Sequence, residues 1–425
     1  MKKPAGRIGH LALCQICSHP KLETILSLGH QALISSYLTA ETLKELEVIY
    51  PLNFCRCPRC GLLQLDYIVD PQAAFHPAYP YHTGMTNMLI RNFRSLAEKT
   101  IRDYGLRKGN LVIDIGSNDG TLLRGFKEAG MRVLGIEPTN AAKVANRNKI
   151  PTIQKFFNKK TARGVLKKFG KARVIISTNA FAHINELFDT ISGIKLLLDR
   201  DGVFISESQY LAATIEKLQF DCIYHEHLRY YSLKPMIKMF SMASMSVIDA
   251  ERISAAGGSI RVYAVNGNKL SHDRVKSLLA AEEKIGLYDV KSKRLKEFAR
   301  QAVQVKSELS TLLSSLKKKN KKIVGIGSPA RSNSLLGFTK IDNDILDYAC
   351  ERKGSPKIGL FSPGMHIPVV DEKVLFQDQP DYALVLSWHI GDELMRKLRD
   401  LGYKGKFIIP LPKPKIITQI KNTHA

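Results

Sequence analysis

The run Leu111-Val112-Ile113-Asp114-Ile115 leads straight into Gly116-Ser117-Asn118-Asp119-Gly120. No other stretch of the chain constrains the fold as much. A continuous apolar, β-branched segment is buried on both faces, which is how a strand of a parallel sheet reads. The glycine turn after it allows the chain to fold back as a helix. The pattern recurs at Arg132–Ile136, which ends on Glu137-Pro138, at Ala172–Ser177 and at Gly202–Ser206, with helical segments between. An amphipathic helix from about Thr86 to Tyr104 precedes the first strand. Strands alternating with helices give a doubly wound parallel sheet, which binds ligands beyond the carboxyl ends of its strands.

The alternation stops and then resumes. Gly257-Gly258-Ser259-Ile260-Arg261-Val262-Tyr263 opens a third region, followed by one long charged helix over roughly His272 to Leu316. Strand-like runs return at Lys322–Ile326, Ala383–Leu386 and Phe407–Ile409. At 425 residues the chain is too long for one ordinary domain, so a second, smaller α/β domain is expected at the C-terminus.

The cysteines are unevenly placed. Five of seven, Cys14, Cys17, Cys55, Cys57 and Cys60, fall in the first sixty residues. Cys14-x-x-Cys17 and Cys57-x-x-Cys60 are two knuckles whose spacing suits tetrahedral thiolate coordination of zinc far better than disulfides. Cys55 is the spare. Four thiolates leave no open coordination position, so the zinc site is expected to be structural.

A formal charge of +25 favours polyanionic partners, nucleic acid or a nucleotide diphosphate. Much of it sits in Lys317-Lys318-Lys319-Asn320-Lys321-Lys322, a solvated helix end. The stretch between the knuckles is mixed in charge, with Glu23, Glu41, Glu45 and Glu47, which argues against a nucleic-acid grip there. No apolar run has the length of a membrane span, and the basic start leads into no signal-type apolar stretch. The expectation is a cytoplasmic protein with no membrane or nucleic-acid partner.

The segment Phe220-Asp221-Cys222-Ile223-Tyr224-His225-Glu226-His227-Leu228-Arg229-Tyr230-Tyr231 sets a phenol, two imidazoles and a carboxylate side by side. Such groups move protons near neutral pH and steady developing negative charge. On its own the segment reads equally well as a hydrogen-bonded polar turn. In an extended segment side chains alternate, which turns His225 away from His227.

The first glycine turn lacks the G-x-G-x-x-G of a dinucleotide site. Its acidic residues, Asp114 and Asp119, suit a cofactor with a cationic amino-acid part, and Glu137 at the end of the next strand suits ribose hydroxyls. The pattern resembles the first motif and acidic loop of class I methyltransferases. A later turn, Gly325-Ile326-Gly327-Ser328-Pro329-Ala330, reads equally as an anion site or a plain structural turn.

Together these residues resemble the zinc-containing nucleotide-sugar C-methyltransferases, which methylate C3 of 4-keto-6-deoxyhexoses. The resemblance covers nearly the whole chain. It runs through the cysteine segment, Tyr79-Pro80-Tyr81-His82-Thr83, the 114–120 turn, Thr178-Asn179-Ala180-Phe181-Ala182-His183-Ile184 and the 224–227 cluster. It continues through Gly257–Arg261, Gly325–Asn333 and Ser362–Pro368. Departures are Ala256, Arg331 in place of the usual lysine, and Ser387-Trp388-His389 in place of Ala-Trp-Asn.

The resemblance implies an α/β chain with a zinc-binding module over 1–75, a Rossmann-like methyltransferase domain over 76–245 and a C-terminal α/β nucleotide-sugar domain over 246–425. It implies S-adenosylmethionine and structural zinc as cofactors and an NDP-4-keto-6-deoxyhexose as substrate. His227 is the expected base, with Glu226, Tyr224 and His183 assisting. Asp114, Gly116, Asn118, Asp119, Glu137 and Asn179 are expected at the cofactor. Tyr79, Tyr81, Arg261, Gly325, Gly327 and Arg331 are expected at the substrate, and Cys14, Cys17, Cys57 and Cys60 on the metal. A nucleic-acid methyltransferase is the alternative. Oligomeric state is open.

Overall fold

The computed structural model describes residues 8–75, 83–85 and 87–418. Tyr79 and Tyr81 lie outside these residues. The chain divides into two compact units. One comprises Met1–Thr24, Cys55–Thr214 and Glu226–Arg294; the other comprises Ile25–Phe54, Ile215–His225 and Leu295–Ala425.

The first unit is built on a seven-stranded sheet. Its strands are β1 (Leu111–Ile115), β2 (Arg132–Ile136), β3 (Thr152–Ile153), β4 (Ala172–Thr178), β5 (Leu198–Gln209), β6 (Met245–Ile253) and β7 (Ser259–Asn266). Their order is β6-β7-β5-β4-β1-β2-β3. β1 to β5 pair in parallel; β7 runs antiparallel to both β5 and β6. The order reverses between β1 and β4, which opens a crevice beyond their carboxyl ends. Val112, Val174, Ile176, Val203 and Ile205 from the strands pack with Leu122, Leu123 and Phe126 of helix α2 (Thr121–Glu128) and with Phe93, Leu96 and Ala97 of helix α1 (Asn87–Asp103). Each such fully buried side chain contributes roughly 1.5–3 kcal/mol.

β6 and β7, which follow residue 244, complete the first sheet. Gly257-Gly258 links these two antiparallel strands, with Gly258 at φ +126°. The single helix expected over 272–316 is two, α3 (Asp273–Ile285) and α4 (Lys293–Lys317). Gly286 adopts the left-handed conformation and its N–H closes onto Glu282 and Glu283, a terminus that glycine supplies without steric cost.

The zinc segment contributes short strands to the same unit. Leu63–Leu65 pairs antiparallel with Arg229–Tyr230, which ties the second knuckle to the residues just after His227.

The second unit carries a six-stranded sheet: β8 (Ile323–Ile326), β9 (Ala349–Glu351), β10 (Val369–Asp371), β11 (Tyr382–Val385), β12 (Lys406–Ile409) and β13 (Lys415–Ile417), in the order β10-β9-β8-β11-β12-β13. All neighbours are parallel except β12 and β13. Helix α5 (Ala330–Thr339) follows the Gly327 turn and is buried along its length. Among the described residues no helix is long and apolar enough to cross a membrane.

Candidate functional site

The turn after β1 is held by its backbone. Gly116 N–H donates to Ile136 O (2.8 Å), and Asn118 N–H donates to Glu137 Oε2 (3.0 Å). Gly116 has φ +76°, and a Cβ there would collide with the Ala180 side chain. The loop after β4 therefore lies directly against the turn. Glu137 is buried and also accepts from Thr139 N (2.9 Å) and Oγ1 (2.7 Å). Asp114 is buried at the end of β1, and its Oδ1 has no hydrogen-bond partner. Burial, with Glu137 adding negative charge, pushes its carboxyl up to about 8.

Asp119 is engaged by the protein around it. Its Oδ1 accepts from Thr121 N (3.2 Å) and Oγ1 (2.6 Å), and its Oδ2 from Gly84 N (2.8 Å). The carboxylate binds the first turn of α2 and secures the chain before α1. Asn118 behaves similarly through Oδ1, which accepts from Thr83 N (2.9 Å). Its φ of +49°, like the +53° of Asn179, marks a left-handed residue in the loops beyond β1 and β4.

That second loop carries His183 next to His227. The two rings are 4.8 Å apart at 60°. Phe75 lies 5.4 Å from the His183 ring and Tyr230 6.0 Å from the His227 ring. Burial holds the His183 imidazole well below its usual range, and His227 and Arg229 add to the effect. His183 is thus neutral at neutral pH. Glu226 is buried beside His227 in the chain. Residues 225 and 226 form a turn, so strand alternation does not govern the orientation of His225. His225 is instead packed away: its Nε2 is 3.3 Å from Pro51 O, its ring meets Tyr50 edge-on at 5.9 Å, and burial pushes it down to about 4. Tyr224 is half-buried in the second unit.

Four cysteine Sγ atoms, from Cys14, Cys17, Cys57 and Cys60, lie within 4.8 Å of one another, all buried. Cys14 and Cys60 are 3.5 Å apart, and Cys17 and Cys57 3.6 Å. Ligands at about 2.3 Å around a tetrahedral zinc stand about 3.8 Å from each other, so the cluster has the dimensions of a zinc site. Hydrogen bonding from Cys14 lowers the Cys17 and Cys57 thiols, while the same contacts raise Cys14, and Cys60 is raised as well. Cys55 is outside the cluster. Burial pushes its thiol up to about 12, and it contacts Thr24 at 3.6 Å.

The residues expected at the substrate fare differently. Arg261 Nε and Nη2 donate to Glu207 Oε2 (3.0 and 2.8 Å), Nη1 to Glu251 (3.2 Å) and Nη2 to Asn92 (3.2 Å). This buried network crosses the β5–β7–β6 strands and leaves no fork for a pyrophosphate. Arg331 is likewise paired bidentately with Asp221 (2.7 Å twice) and lies over Trp388. Gly325 is inside β8, where a Cβ would press on Leu386. At the following turn Gly327 N–H goes to Cys350 O (2.8 Å) and Ser328 N–H to Glu351 Oε1 (2.8 Å), which spends both amides on the protein itself. All four are engaged within the protein.

Sequence reasoning passed over Gln15, Ala180, Glu207 and Arg229. Gln15 lies inside a knuckle and Arg229 two residues past His227, positions that give them away only once the metal and the histidine are placed.

Comparison with known proteins agrees with this arrangement. Residues 14–75 match a family model described as a zinc binding domain, 88–247 a methyltransferase domain, and 254–412 a C-methyltransferase C-terminal domain. C-methyltransferase NovU of Streptomyces niveus is 30% identical over 409 residues, 95% of this chain and 96% of NovU. The chain belongs to the C-methyltransferase family. Among solved structures, magnesium protoporphyrin IX methyltransferase of Synechocystis PCC 6803 with bound SAH is 18% identical, over 42% of this chain and 84% of that one, with a TM-score of 0.34. A 1,6-didemethyltoxoflavin-N1-methyltransferase of Burkholderia thailandensis is 17% identical over 42% and 78%, with a TM-score of 0.32.

This C-methyltransferase is a SAM-dependent enzyme with a zinc-binding module. The β1 turn fits SAM. The unpartnered, buried Asp114 Oδ1 is an acceptor for a cationic amino group. Glu137, bonded through both oxygens, keeps lone pairs for ribose hydroxyls.

Proposed function

We propose that the enzyme transfers a methyl group to C3 of an NDP-4-keto-6-deoxy sugar, with His227 as the base. The observation that carries the reading is the His183–His227 pair, 4.8 Å apart, in which His183 belongs to the loop that lies against the Gly116 turn. A carbonyl at C4 makes the C3 proton removable, because the electron pair left behind delocalises onto oxygen as an enolate. An imidazole with an unperturbed pKa of about 6.5 is a base suited to that proton at neutral pH. Glu226 orients the His227 ring. His183, held neutral by burial, is a hydrogen-bonding partner that adds no competing positive charge beside the base.

SAM supplies an electrophilic methyl group when bound. Asp114, Gly116, Asn118, Glu137 and Asn179 form its cradle in this reading, with Asp114 at the amino group and Glu137 at the ribose. Cys14, Cys17, Cys57 and Cys60 hold zinc with no open position, so the metal takes no part in the chemistry. We place the reaction in the cytoplasm.

The test incubates the protein with isotopically labelled SAM and a panel of 4-keto nucleotide sugars, followed by mass spectrometry. A sugar that gains the label supports the reading. Failure of every sugar, in a protein that binds SAM, sinks it. His227→Ala is expected to abolish exchange of the C3 proton with deuterium from solvent; exchange that continued would remove His227 as the base.

A further inference from the structure

The first zinc knuckle and the two histidines are joined by a continuous set of buried hydrogen bonds within the first unit. Gln15 sits between the ligands Cys14 and Cys17. Its N–H donates to Gln64 Oε1 (2.8 Å), and Gln64 Nε2 returns to Leu13 O (3.2 Å). Gln64 is fully buried, four residues past Cys60. The two amides therefore lock one knuckle to the strand that follows the other. From there the Gln15 side chain reaches the histidine segments. Its Nε2 donates to Leu65 O (3.4 Å) and Leu228 O (3.3 Å), and its Oε1 accepts from Arg229 Nη1 (2.5 Å).

Arg229 completes the link. It is among the largest fully buried side chains. Nη2 donates to Ile184 O and Nε to Tyr231 Oη (3.0 Å). Leu228 N–H donates to Ala182 O (3.1 Å), while Leu228 O also accepts from Leu65 N (3.1 Å). The peptide groups on either side of His183, at Ala182 and Ile184, and the residue after His227 are thus all fixed by this set. Its acceptors for Arg229 are neutral oxygens. A buried guanidinium satisfied by three neutral acceptors makes a costly group to place, and its fork geometry fixes those acceptors tightly.

We propose that Gln15 and Arg229 are positioning residues through which the zinc knuckle sets the spacing and orientation of His183 and His227. The proposal rests on the reading of His227 as the base. The metal's function is then more than holding the module folded: it fixes the anchor end of a clamp whose other end is the histidine pair. Misplacing a reacting group by about 1 Å costs on the order of a hundredfold in rate, so small shifts in this clamp matter.

The test uses full-length, zinc-loaded protein carrying 15N-labelled histidine. Gln15→Ala, Gln15→Glu and Arg229→Lys are compared with wild type for zinc content, kcat, KM for SAM, C3 deuterium exchange and histidine ring NMR signals. Gln15→Ala and Arg229→Lys are expected to keep one zinc and an unchanged KM for SAM. Both kcat and exchange should fall by about ten- to a hundredfold, with the His183 and His227 ring signals shifted or broadened. Gln15→Glu retains an acceptor for Arg229 and should recover part of the loss. Zinc-replete variants with wild-type kcat and unmoved ring signals would overturn the proposal. Should Gln15→Ala shed zinc, Arg229→Lys, which is outside the knuckles, decides by the same two readouts. The ring signals report positioning whether or not His227 is the base, whereas exchange persisting in His227→Ala would count only against the base assignment.

Discussion

The two sheets end their first strands in nearly the same way and differ most two residues before the turn glycine. In the first unit Gly116 N–H bonds the carbonyl of Ile136, the last residue of β2, and Glu137 just beyond accepts from Asn118 N. In the second unit Gly327 N–H bonds Cys350 O of β9, and Glu351 beside it accepts from Ser328 N. Both turns stand at the reversal of strand order in a doubly wound sheet. Two residues before the glycine, however, the first has Asp114, buried with an oxygen lacking a partner, and the second has Gly325, packed against Leu386. The shared backbone makes a turn. An unmet buried acceptor leaves the first turn open to a donor from a ligand.

The largest expected effect separates the two turns by sterics. Gly116→Ala introduces a Cβ at φ +76°, costing about 1–2 kcal/mol in backbone strain, and overpacks Ala180 by a further ~1–3 kcal/mol. Because Ala180 begins the loop that carries His183, methyl transfer should drop along with SAM affinity. Calorimetric titration with SAM beside a turnover assay reads both; a variant that bound and turned over normally would show that the contact is slack.

Asp114→Asn comes next. Loss of a charge-assisted hydrogen bond to the SAM amino group should weaken binding by roughly 1.5–3 kcal/mol, about ten- to a hundredfold. The apo protein gives a second readout. Folded Asp114 titrates at about 8, well above the ordinary carboxylate value near 4. Between those pH values the folded state holds a proton that the unfolded state has lost. Its contribution to stability is therefore complete below pH ~4 and is lost as pH rises through about 8. Melting temperatures from pH 5 to 8.5 should fall less steeply in Asp114→Asn than in wild type. SAM binding at pH 7 should release a proton, detectable by titration in buffers of different ionisation enthalpy.

How far this was readable in the sequence follows from the range of the interactions. β1 was legible because its apolar run and its turn are adjacent in the chain, and the knuckles because metal ligands recur at fixed spacing. That β6 and β7 join the first sheet was not legible, because the antiparallel pairing of β7 with β5 and β6 leaves no local mark beyond Gly257-Gly258. Asp119 and Asp114 look alike as letters. Only the fold spends one on Thr121 and Gly84 and leaves the other unpaired. Arg261 and Arg331 were expected at the substrate; their carboxylate partners, distant in sequence, are set only by the fold. His183 and His227 were found separately; their 4.8 Å approach belongs to the tertiary structure.

Gly325→Ala tests the second turn. The residue is in β8 and needs no left-handed conformation, so the cost is the displacement of the Leu386 side chain, about 1–3 kcal/mol of stability. SAM affinity should be unchanged. A loss of affinity comparable to that of Gly116→Ala would mean the two turns share the cofactor's fate, and the contrast between them would fail.

The smallest effect is expected where the turns are most alike. Glu137 uses both oxygens, Oε2 for Asn118 N and Oε1 for Thr139 N and Oγ1. Glu137→Gln must point an NH2 at one of these donors and should cost about 1–3 kcal/mol, since a buried donor loses its acceptor. Glu351 uses Oε1 alone for Ser328 N, and the same oxygen lies 3.9 Å from Lys357 Nζ. Glu351→Gln can keep its carbonyl oxygen on Ser328 and give up only the attraction to that lysine. The melting temperature of Glu351→Gln should stay near wild type while that of Glu137→Gln falls. Equal losses would show that the second carboxylate is as tightly committed as the first.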